Sequence, residues 1–196
     1  MYSADGKNII PLSEPLISGN EWKYVKDCLD TGWVSSSGEY VNKFEKMTAD
    51  YVGAKYAVAV VNGTAALHLS LIAVGVQHGD EVIVPALTFI APVNVVRYCM
   101  AEPVFMDCDP DTLCMDVQKV SDFLNKECRQ DRDGYLYNKK SKKRIKAVIP
   151  VHVFGHPVAM NDLKTICGKH GINIIEDATE SLGSEYKGRK TGSFGA

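Results

Sequence analysis

The sequence lacks the features that mark membrane, secreted and nucleic-acid-binding proteins. It has no span of about 18 apolar residues that would cross a bilayer, and residues 1–11 lack the apolar core of a signal peptide. Lysine and arginine number 22 against 24 aspartate and glutamate residues, for a formal net charge of -2, so there is no basic field of the kind that nucleic acids require. We therefore predict a cytoplasmic protein that binds neither a membrane nor a nucleic acid.

Ligand motifs with fixed spacing are also missing. The six cysteines never occur at C-x-x-C spacing, so we expect no metal site and no redox pair, and we predict reduced, mostly buried thiols. No G-x-G-x-x-G follows the first predicted strand, and no G-x-x-x-x-G-K-[ST] occurs. These absences argue against a dehydrogenase or methyltransferase of the dinucleotide-binding type and against a P-loop protein.

The sequence does contain the hydrophobic periodicity of a globular domain with a substantial core, with 45% hydrophobic and 23% charged residues. Apolar residues at helical spacing predict one helix over residues 20–29 and a second that ends at Gly53, with a Gly/Ser-rich loop over residues 32–38 between them. We predict an N-terminal helical segment with this loop over residues 1–55 and a larger domain over residues 56–196.

Predicted strands alternate with predicted helices throughout the larger domain. This alternation is typical of an α/β fold in three αβα layers, with a largely parallel sheet and helices on both faces. The strands are predicted at residues 56–61, 81–85, 103–107, 146–151 and 172–177, and the helices at residues 62–75, 90–100, 115–127 and 160–170.

One charged segment, residues 128–144, interrupts the alternation. It is centred on Asp133-Gly134, a pair that favours a hairpin turn. Five basic residues lie between Lys139 and Arg144. Such a run is usually a solvated surface, although it would also suit contact with an anionic ligand.

Three strand ends carry residues suited to ligand binding, since ligands of open parallel sheets bind beyond the carboxyl ends of the strands. At Gly63-Thr64-Ala65 a strand turns into a helix, and free backbone N–H groups at a helix N-terminus suit a phosphate. An ordinary turn capped by Thr64 explains the same residues equally well. Phe89 follows the second strand, where its ring suits a planar ligand, although such a residue is more often part of the core.

The third strand end holds three acidic side chains within residues 176–180, namely Glu176, Asp177 and Glu180. A buried carboxylate needs a partner, because burial of an unpaired charge is costly. A protonated heterocyclic nitrogen would be one such partner.

Six motifs occur in a fixed order along residues 11–196. They are G-T-A-A-L, P-A-L-T-F, P-V-F with Asp107, P-V-H with Gly155, E-D-A, and Y-K-G-R followed by G-S-F-G. This ordered set resembles the DegT/DnrJ/EryC1/StrS family of nucleotide-sugar aminotransferases, which depend on pyridoxal 5'-phosphate (PLP). The G-W-V-S-S-S-G loop, the charged segment and the D-A-T-E-S spelling further resemble its LegC-like branch, which acts in the synthesis of legionaminic-acid-like sugars.

The resemblance implies a PLP-dependent transferase of the aspartate aminotransferase type, fold type I. Residues 56–196 would form part of its large domain, and the C-terminal small domain would be absent. Gly63, Thr64 and Ala65 would bind the PLP phosphate. Phe89 would stack on the pyridine ring, and Asp177 would pair with the ring nitrogen, so that the ring serves as an electron sink.

Glu180 departs from the commoner family residue, a Gln that hydrogen-bonds the phenolic oxygen of the cofactor. An ionised carboxylate beside a phenolate would be unfavourable, so this position requires a proton between the two oxygens.

In the family, the lysine that holds the cofactor covalently follows the G-S-x-G segment, and no lysine of this sequence matches that position. We therefore assign no catalytic residue and expect the chain alone to be inactive. The whole enzyme would move an amino group from an amino acid, expected to be glutamate, to a nucleotide-linked keto-deoxysugar in polysaccharide biosynthesis. It would act as a homodimer in which the loop around Trp33 contributes to the partner's site.

Two alternatives stay open. Some members of the family carry His in place of that lysine and are PLP-dependent sugar dehydratases. From a different class, the chain would be a non-catalytic module that binds a phosphate ligand or a partner chain.

Overall fold

The computed structural model describes residue 11 and residues 13–195. The chain divides into two compact units after Phe44. The division into functional parts after residue 55 stays a prediction. All six cysteines are free thiols, and Cys114, Cys128 and Cys167 are buried. None of the described helices is both long enough and apolar enough to cross a membrane.

Two helices define the N-terminal part of the chain, as predicted. Helix α1 spans Glu21–Thr31 and ends at Gly32, whose φ of 74° is the left-handed conformation that terminates many helices. Helix α2 spans Glu39–Val52. The Tyr40 hydroxyl donates a hydrogen bond of 2.9 Å to Asp27 Oδ2, which joins the start of α2 to α1.

A four-stranded parallel sheet forms the centre of the second unit. Its strands are β1 (Glu81–Pro85), β2 (Glu102–Met106), β5 (Ile145–Val148) and β6 (Asn173–Ile174), and they lie in the order β2-β1-β5-β6. Strand β1 pairs with β2 from Glu81 opposite Glu102 to Pro85 opposite Met106. All five residues of β1 are buried, as expected for a central strand covered on both faces.

Helices connect these strands and confirm the predicted alternation. The helices are α3 (Gly63–Ala73), α4 (Ala91–Tyr98), α5 (Val117–Asp122), which continues as a π-helical turn over Phe123–Glu127, and α6 (Met160–His170). Helix α3 packs against α4, and α5 packs against α6. The core between helices and sheet consists mainly of fully buried aliphatic side chains such as Leu71, Ile83, Val95, Ile149 and Leu163.

The strand predicted at residues 56–61 does not form, and this prediction was wrong. The burial of the segment alternates as in a strand, with Val58 exposed and Ala57 and Ala59 half-buried. Within the described residues, however, its backbone makes one hydrogen bond, from the Ala59 N–H to Glu45 Oε1 at 2.8 Å. A strand requires a neighbouring strand, and no described strand lies beside this one.

The charged segment forms a hairpin of β3 (Cys128–Gln130) and β4 (Leu136–Asn138) around the predicted turn. It is anchored at the start of β1. Asn138 Nδ2 donates to Glu81 Oε2 at 2.9 Å, and the Arg144 guanidinium donates to both carboxylate oxygens of Asp80 at 2.8 and 2.6 Å. Lys143 pairs with Glu102 at 3.5 Å. These contacts lie at the amino ends of the strands, away from the edge where ligands of parallel sheets bind, and favour a structural role for the basic run.

Candidate functional site

A cavity of about 540 Å³ lies beyond the carboxyl ends of β1, β5 and β6 and brings the three predicted strand ends together. Its lining comes from the start of α3 and from the segments that follow these strands. Five of the six predicted site residues line it, namely Gly63, Thr64, Phe89, Asp177 and Glu180. The sixth, Ala65, is not among the lining residues, and its N–H donates to Asn62 Oδ1 at 2.8 Å.

The N-terminus of α3 presents unpaired donors to this cavity. Asn62 is the cap residue, so the alternative in which Thr64 caps the helix is wrong. Within the described part of the chain, the N–H groups of Gly63 and Thr64 and the Thr64 hydroxyl have no hydrogen-bond partner. Free N–H groups and the positive end of an 11-residue helix together favour an anion at this point.

Gly63 contributes space rather than an unusual backbone conformation. Its φ lies outside the left-handed region, and a Cβ built on it would meet Thr179 Oγ1 at 3.6 Å, an ordinary contact. The absence of a side chain therefore leaves room beside Thr179 at the wall of the cavity.

Asp177 is a buried carboxylate with one oxygen free. Asp177 is only 7% exposed. Its backbone is hydrogen-bonded to the segment that follows β5: the Asp177 N–H donates to Pro150 O at 2.9 Å, and Asp177 O accepts the His152 N–H at 3.1 Å. Oδ1 accepts two hydrogen bonds from Thr179, one from the N–H at 3.1 Å and one from the hydroxyl at 2.6 Å. No described residue donates to Oδ2, so this oxygen is available to a cationic or N–H partner.

Two phenyl rings line the same cavity with most of their surface uncovered: Phe89 is 77% exposed and Phe154 is 74% exposed. Phe154 adopts the left-handed conformation, with φ 54° and ψ 24°, which is strained for a residue with a side chain. Glu180 Oε2 holds this conformation by accepting the Phe154 N–H at 2.7 Å. Sequence reasoning missed Phe154, although its place between the P-V-H motif and Gly155 was a usable signal.

A buried pair behind the cavity, His152 and Glu176, was also missed. His152 Nδ1 accepts the Val158 N–H at 3.1 Å, so Nε2 carries the proton and donates to Glu176 Oε1 at 2.8 Å. Glu176 also accepts the N–H groups of Gly192 and Phe194, both at 2.7 Å. Burial raises the pKa of Glu176, and the hydrogen bonds from His152, Gly192 and Phe194 outweigh it, so the pKa lies below its ordinary value. The pair joins the segments after β5 and β6 to the loop at residues 192–195.

The fold is that of the aminotransferases. A solved aminotransferase from Psychrobacter cryohalolentis superposes with a TM-score of 0.78 at 32% identity over 94% of this chain and 43% of its own. A solved Escherichia coli GDP-4-keto-6-deoxy-D-mannose-3-dehydratase with bound hydrated PLP superposes with a TM-score of 0.79 at 27% identity over 94% of this chain and 44% of its own. Both likenesses confirm the predicted fold class.

The chain belongs to the DegT/DnrJ/EryC1/StrS aminotransferase family, whose model matches residues 15–196. It is 42% identical to GDP-perosamine synthase of Caulobacter vibrioides over 186 residues, which are 95% of this chain and 46% of that protein. The chain therefore spans about half the length of the curated relatives that it matches. The predicted family membership is confirmed.

Proposed function

We propose that this chain provides the cofactor-binding part of a PLP-dependent sugar aminotransferase. The observation that carries the proposal is the single cavity in which a free helix N-terminus, an uncovered phenyl ring and a buried carboxylate with one free oxygen meet. Gly63 and Thr64 would bind the phosphate, Phe89 would stack on the ring and Asp177 would pair with the ring nitrogen. Ala65 would help only to shape the turn and would not donate to the phosphate, because its N–H is already bonded to Asn62.

The residues fit PLP in three independent respects. The N–H groups of Gly63 and Thr64 lack partners among the described residues, and a phosphate would supply them. Asp177 is buried and needs a partner for Oδ2, which a protonated ring nitrogen would supply. Thr88 Oγ1 is buried with no hydrogen-bond partner in the described part of the chain, and Thr88 lines the same cavity. When bound, PLP supplies an electron-accepting ring.

Glu180 connects the proposed cofactor site to the Phe154 segment. Its Oε2 is engaged by the Phe154 N–H, which leaves Oε1 as the oxygen for the phenolic group of the cofactor. Two negative oxygens at hydrogen-bond distance repel, so Glu180 would hold a proton between itself and that group.

The reaction proposed for the whole protein is transfer of an amino group from an amino acid, glutamate in the first instance, to a keto carbon of a nucleotide-linked deoxysugar. A relative named GDP-perosamine synthase, at 42% identity, supports the nucleotide-sugar class. The lining of the cavity includes no lysine within the described part of the chain. We therefore expect no turnover from residues 1–196 alone, and the LegC-like branch stays a prediction.

A sugar dehydratase is the second candidate, because a solved dehydratase superposes as well as the aminotransferase does, with TM-scores of 0.79 and 0.78. Incubation of the full-length protein with glutamate and a 4-keto sugar nucleotide separates the two. The aminotransferase yields an amino sugar and 2-oxoglutarate, whereas the dehydratase yields a deoxygenated keto sugar.

We expect the protein to be a cytoplasmic homodimer. The apolar face of α1, formed by Trp22, Val25 and Leu29, is exposed, as are Trp33 and Val34 in the following loop. Uncovered apolar surface of this kind is typical of an interface, and a second copy would cover it. Light scattering after gel filtration would give the mass of a dimer, and replacement of Trp22 and Leu29 by Ser would give a monomer.

The experiment that tests the cofactor assignment is a titration of the purified chain with PLP, followed by absorption and repeated with Asp177→Ala. Saturable binding that weakens in the variant is expected. Absence of binding by a chain with a cooperative thermal transition would contradict the proposal and would favour a non-catalytic module.

A further inference from the structure

Thr179 places two donors on the same oxygen of Asp177, and from this we propose that it is a positioning residue for the cofactor's ring nitrogen. Its hydroxyl and its N–H both bond Oδ1, at 2.6 and 3.1 Å. Thr179 would thereby fix the carboxylate so that Oδ2 remains the oxygen that meets the ligand. The inference rests on the proposed function, because it assumes that Asp177 faces a ring nitrogen.

The two bonds from Thr179 differ in what they require of the side chain. The bond from the N–H to Oδ1 is the Asx turn that any residue at position 179 would provide. The bond from the hydroxyl depends on Ser or Thr, and its length of 2.6 Å is that of a hydrogen bond to a charged acceptor. Rotation of the carboxylate plane away from its present orientation would weaken both bonds at once. The hydroxyl therefore restricts Asp177 in a way that the turn alone does not.

Thr179 also lies next to the proposed phosphate turn. A Cβ built on Gly63 would be 3.6 Å from its Oγ1, which is the only atom that this Cβ would meet within 4 Å among the described residues. The hydroxyl therefore lies beside the helix N-terminus and is bonded to the carboxylate. A carboxylate held in one orientation suits a rigid ligand that would span both sites.

A structural role for the hydroxyl and a positioning role make different predictions. If Thr179 only stabilised the loop, its loss would lower stability and would weaken every ligand of the cavity alike. If it orients Asp177, its loss would weaken ligands that carry a ring nitrogen and would spare a ligand that lacks one. PLP and its 1-deaza analogue, in which carbon replaces that nitrogen, form such a pair.

The test measures the dissociation constants of PLP and 1-deaza-PLP for the wild-type chain, Thr179→Val and Thr179→Ser. Thr179→Val keeps the shape of the side chain and removes the donor, so PLP affinity is expected to fall about tenfold, as for loss of one hydrogen bond to a charged group. Affinity for the deaza analogue is expected to stay unchanged. Thr179→Ser keeps the donor and should bind PLP nearly as tightly as the wild type does.

Equal PLP affinity in Thr179→Val and the wild type would overturn the inference, as would an equal loss for both ligands. Failure of the proposed function itself is distinguishable, because the wild-type chain would then not bind PLP, or Asp177→Ala would bind it as well as the wild type does. In that case the positioning role is overturned together with the site.

Discussion

Arg144 and Asp80 form a two-pronged ion pair that ties the end of the charged hairpin to the residue before β1. Nε donates to Oδ1 at 2.8 Å and Nη2 donates to Oδ2 at 2.6 Å, with both side chains largely buried. The hydrogen bonds to Asp80 raise the pKa of Arg144, which stays charged throughout the accessible pH range. The Arg144 guanidinium also lies 4.9 Å from the centre of the Tyr135 ring.

Arg144→Ala should lower the free energy of unfolding by about 3 kcal/mol, because it leaves the Asp80 carboxylate buried without its partner. Chemical denaturation followed by circular dichroism measures the change. Arg129→Ala is the matched control, since Arg129 is exposed and lies 3.7 Å from Asp131, and such a pair contributes less than about 1 kcal/mol. Equal effects of the two variants would contradict a structural role for Arg144.

Gly63→Ala should separate stability from cofactor binding. Its backbone conformation is open to alanine and the new Cβ meets only Thr179 Oγ1 at 3.6 Å, so the free energy of unfolding should not fall. PLP affinity should fall about tenfold or more, because the methyl group occupies space where the phosphate would approach the helix N-terminus.

Gly168→Ala in α6 is the control for this variant. A Cβ at that position meets nothing within 4 Å, and alanine replaces glycine inside a helix, so the chain should gain about 0.5–1 kcal/mol with PLP binding unchanged. A Gly63→Ala chain that binds PLP like the wild type would remove this turn from the cofactor site.

Glu180→Gln should bind PLP at least as tightly as the wild type. The amide cannot become negative, so repulsion from a phenolate is removed, while its oxygen still accepts the Phe154 N–H. Parallel PLP titrations of the two chains at neutral pH measure the effect. A variant with weaker binding would show that the carboxylate itself is needed.

Glu176→Gln should change how the free energy of unfolding depends on pH below neutrality. The wild-type pKa is lowered in the folded chain, so the carboxylate stabilises the fold above its unfolded pKa, and this contribution disappears as the pH falls through the folded pKa. The variant should lose about 2–3 kcal/mol at neutral pH, because the bonds from His152, Gly192 and Phe194 weaken. Its stability should then decline less steeply than that of the wild type as the pH falls below 4.5, the ordinary pKa of a glutamate.

Glu185→Gln provides the comparison for the acid experiment. Glu185 is half-exposed and pairs with Lys190 at 2.8 Å, so its replacement should leave both the neutral stability and the acid response nearly unchanged. If Glu176→Gln behaved in the same way, the buried network behind the cavity would contribute little to the fold.

The parts of the fold that depend on local sequence could be predicted. Strand β1 is an apolar run that ends at Pro85, and helix α6 spans Met160–His170 as expected. The prediction of a strand at residues 56–61 was wrong. The local sequence pattern is that of a strand, but a strand also needs hydrogen bonds to a neighbouring strand that is distant in sequence, which the local pattern does not reveal.

The candidate site likewise contains residues that could be predicted from the sequence and residues that could not. The cluster of Gly63, Phe89 and Asp177 could be predicted, because the carboxyl ends of parallel strands converge at one edge. Neither the left-handed Phe154 nor the contact of His152 with Glu176 could be predicted, since each depends on atoms more than 20 residues apart in sequence.

Residues 56–61 have a practical consequence for work with this chain. Among the described residues only the Ala59 amide of this segment has a partner, and Val58 and Val61 are exposed, so another copy can pair with the segment as a strand. Assembly of this kind increases with protein concentration and is open-ended, whereas a dimer is a closed assembly. Dilute samples, or a lysine in place of Val58, should therefore keep the solution free of filaments and turbidity during ligand titrations.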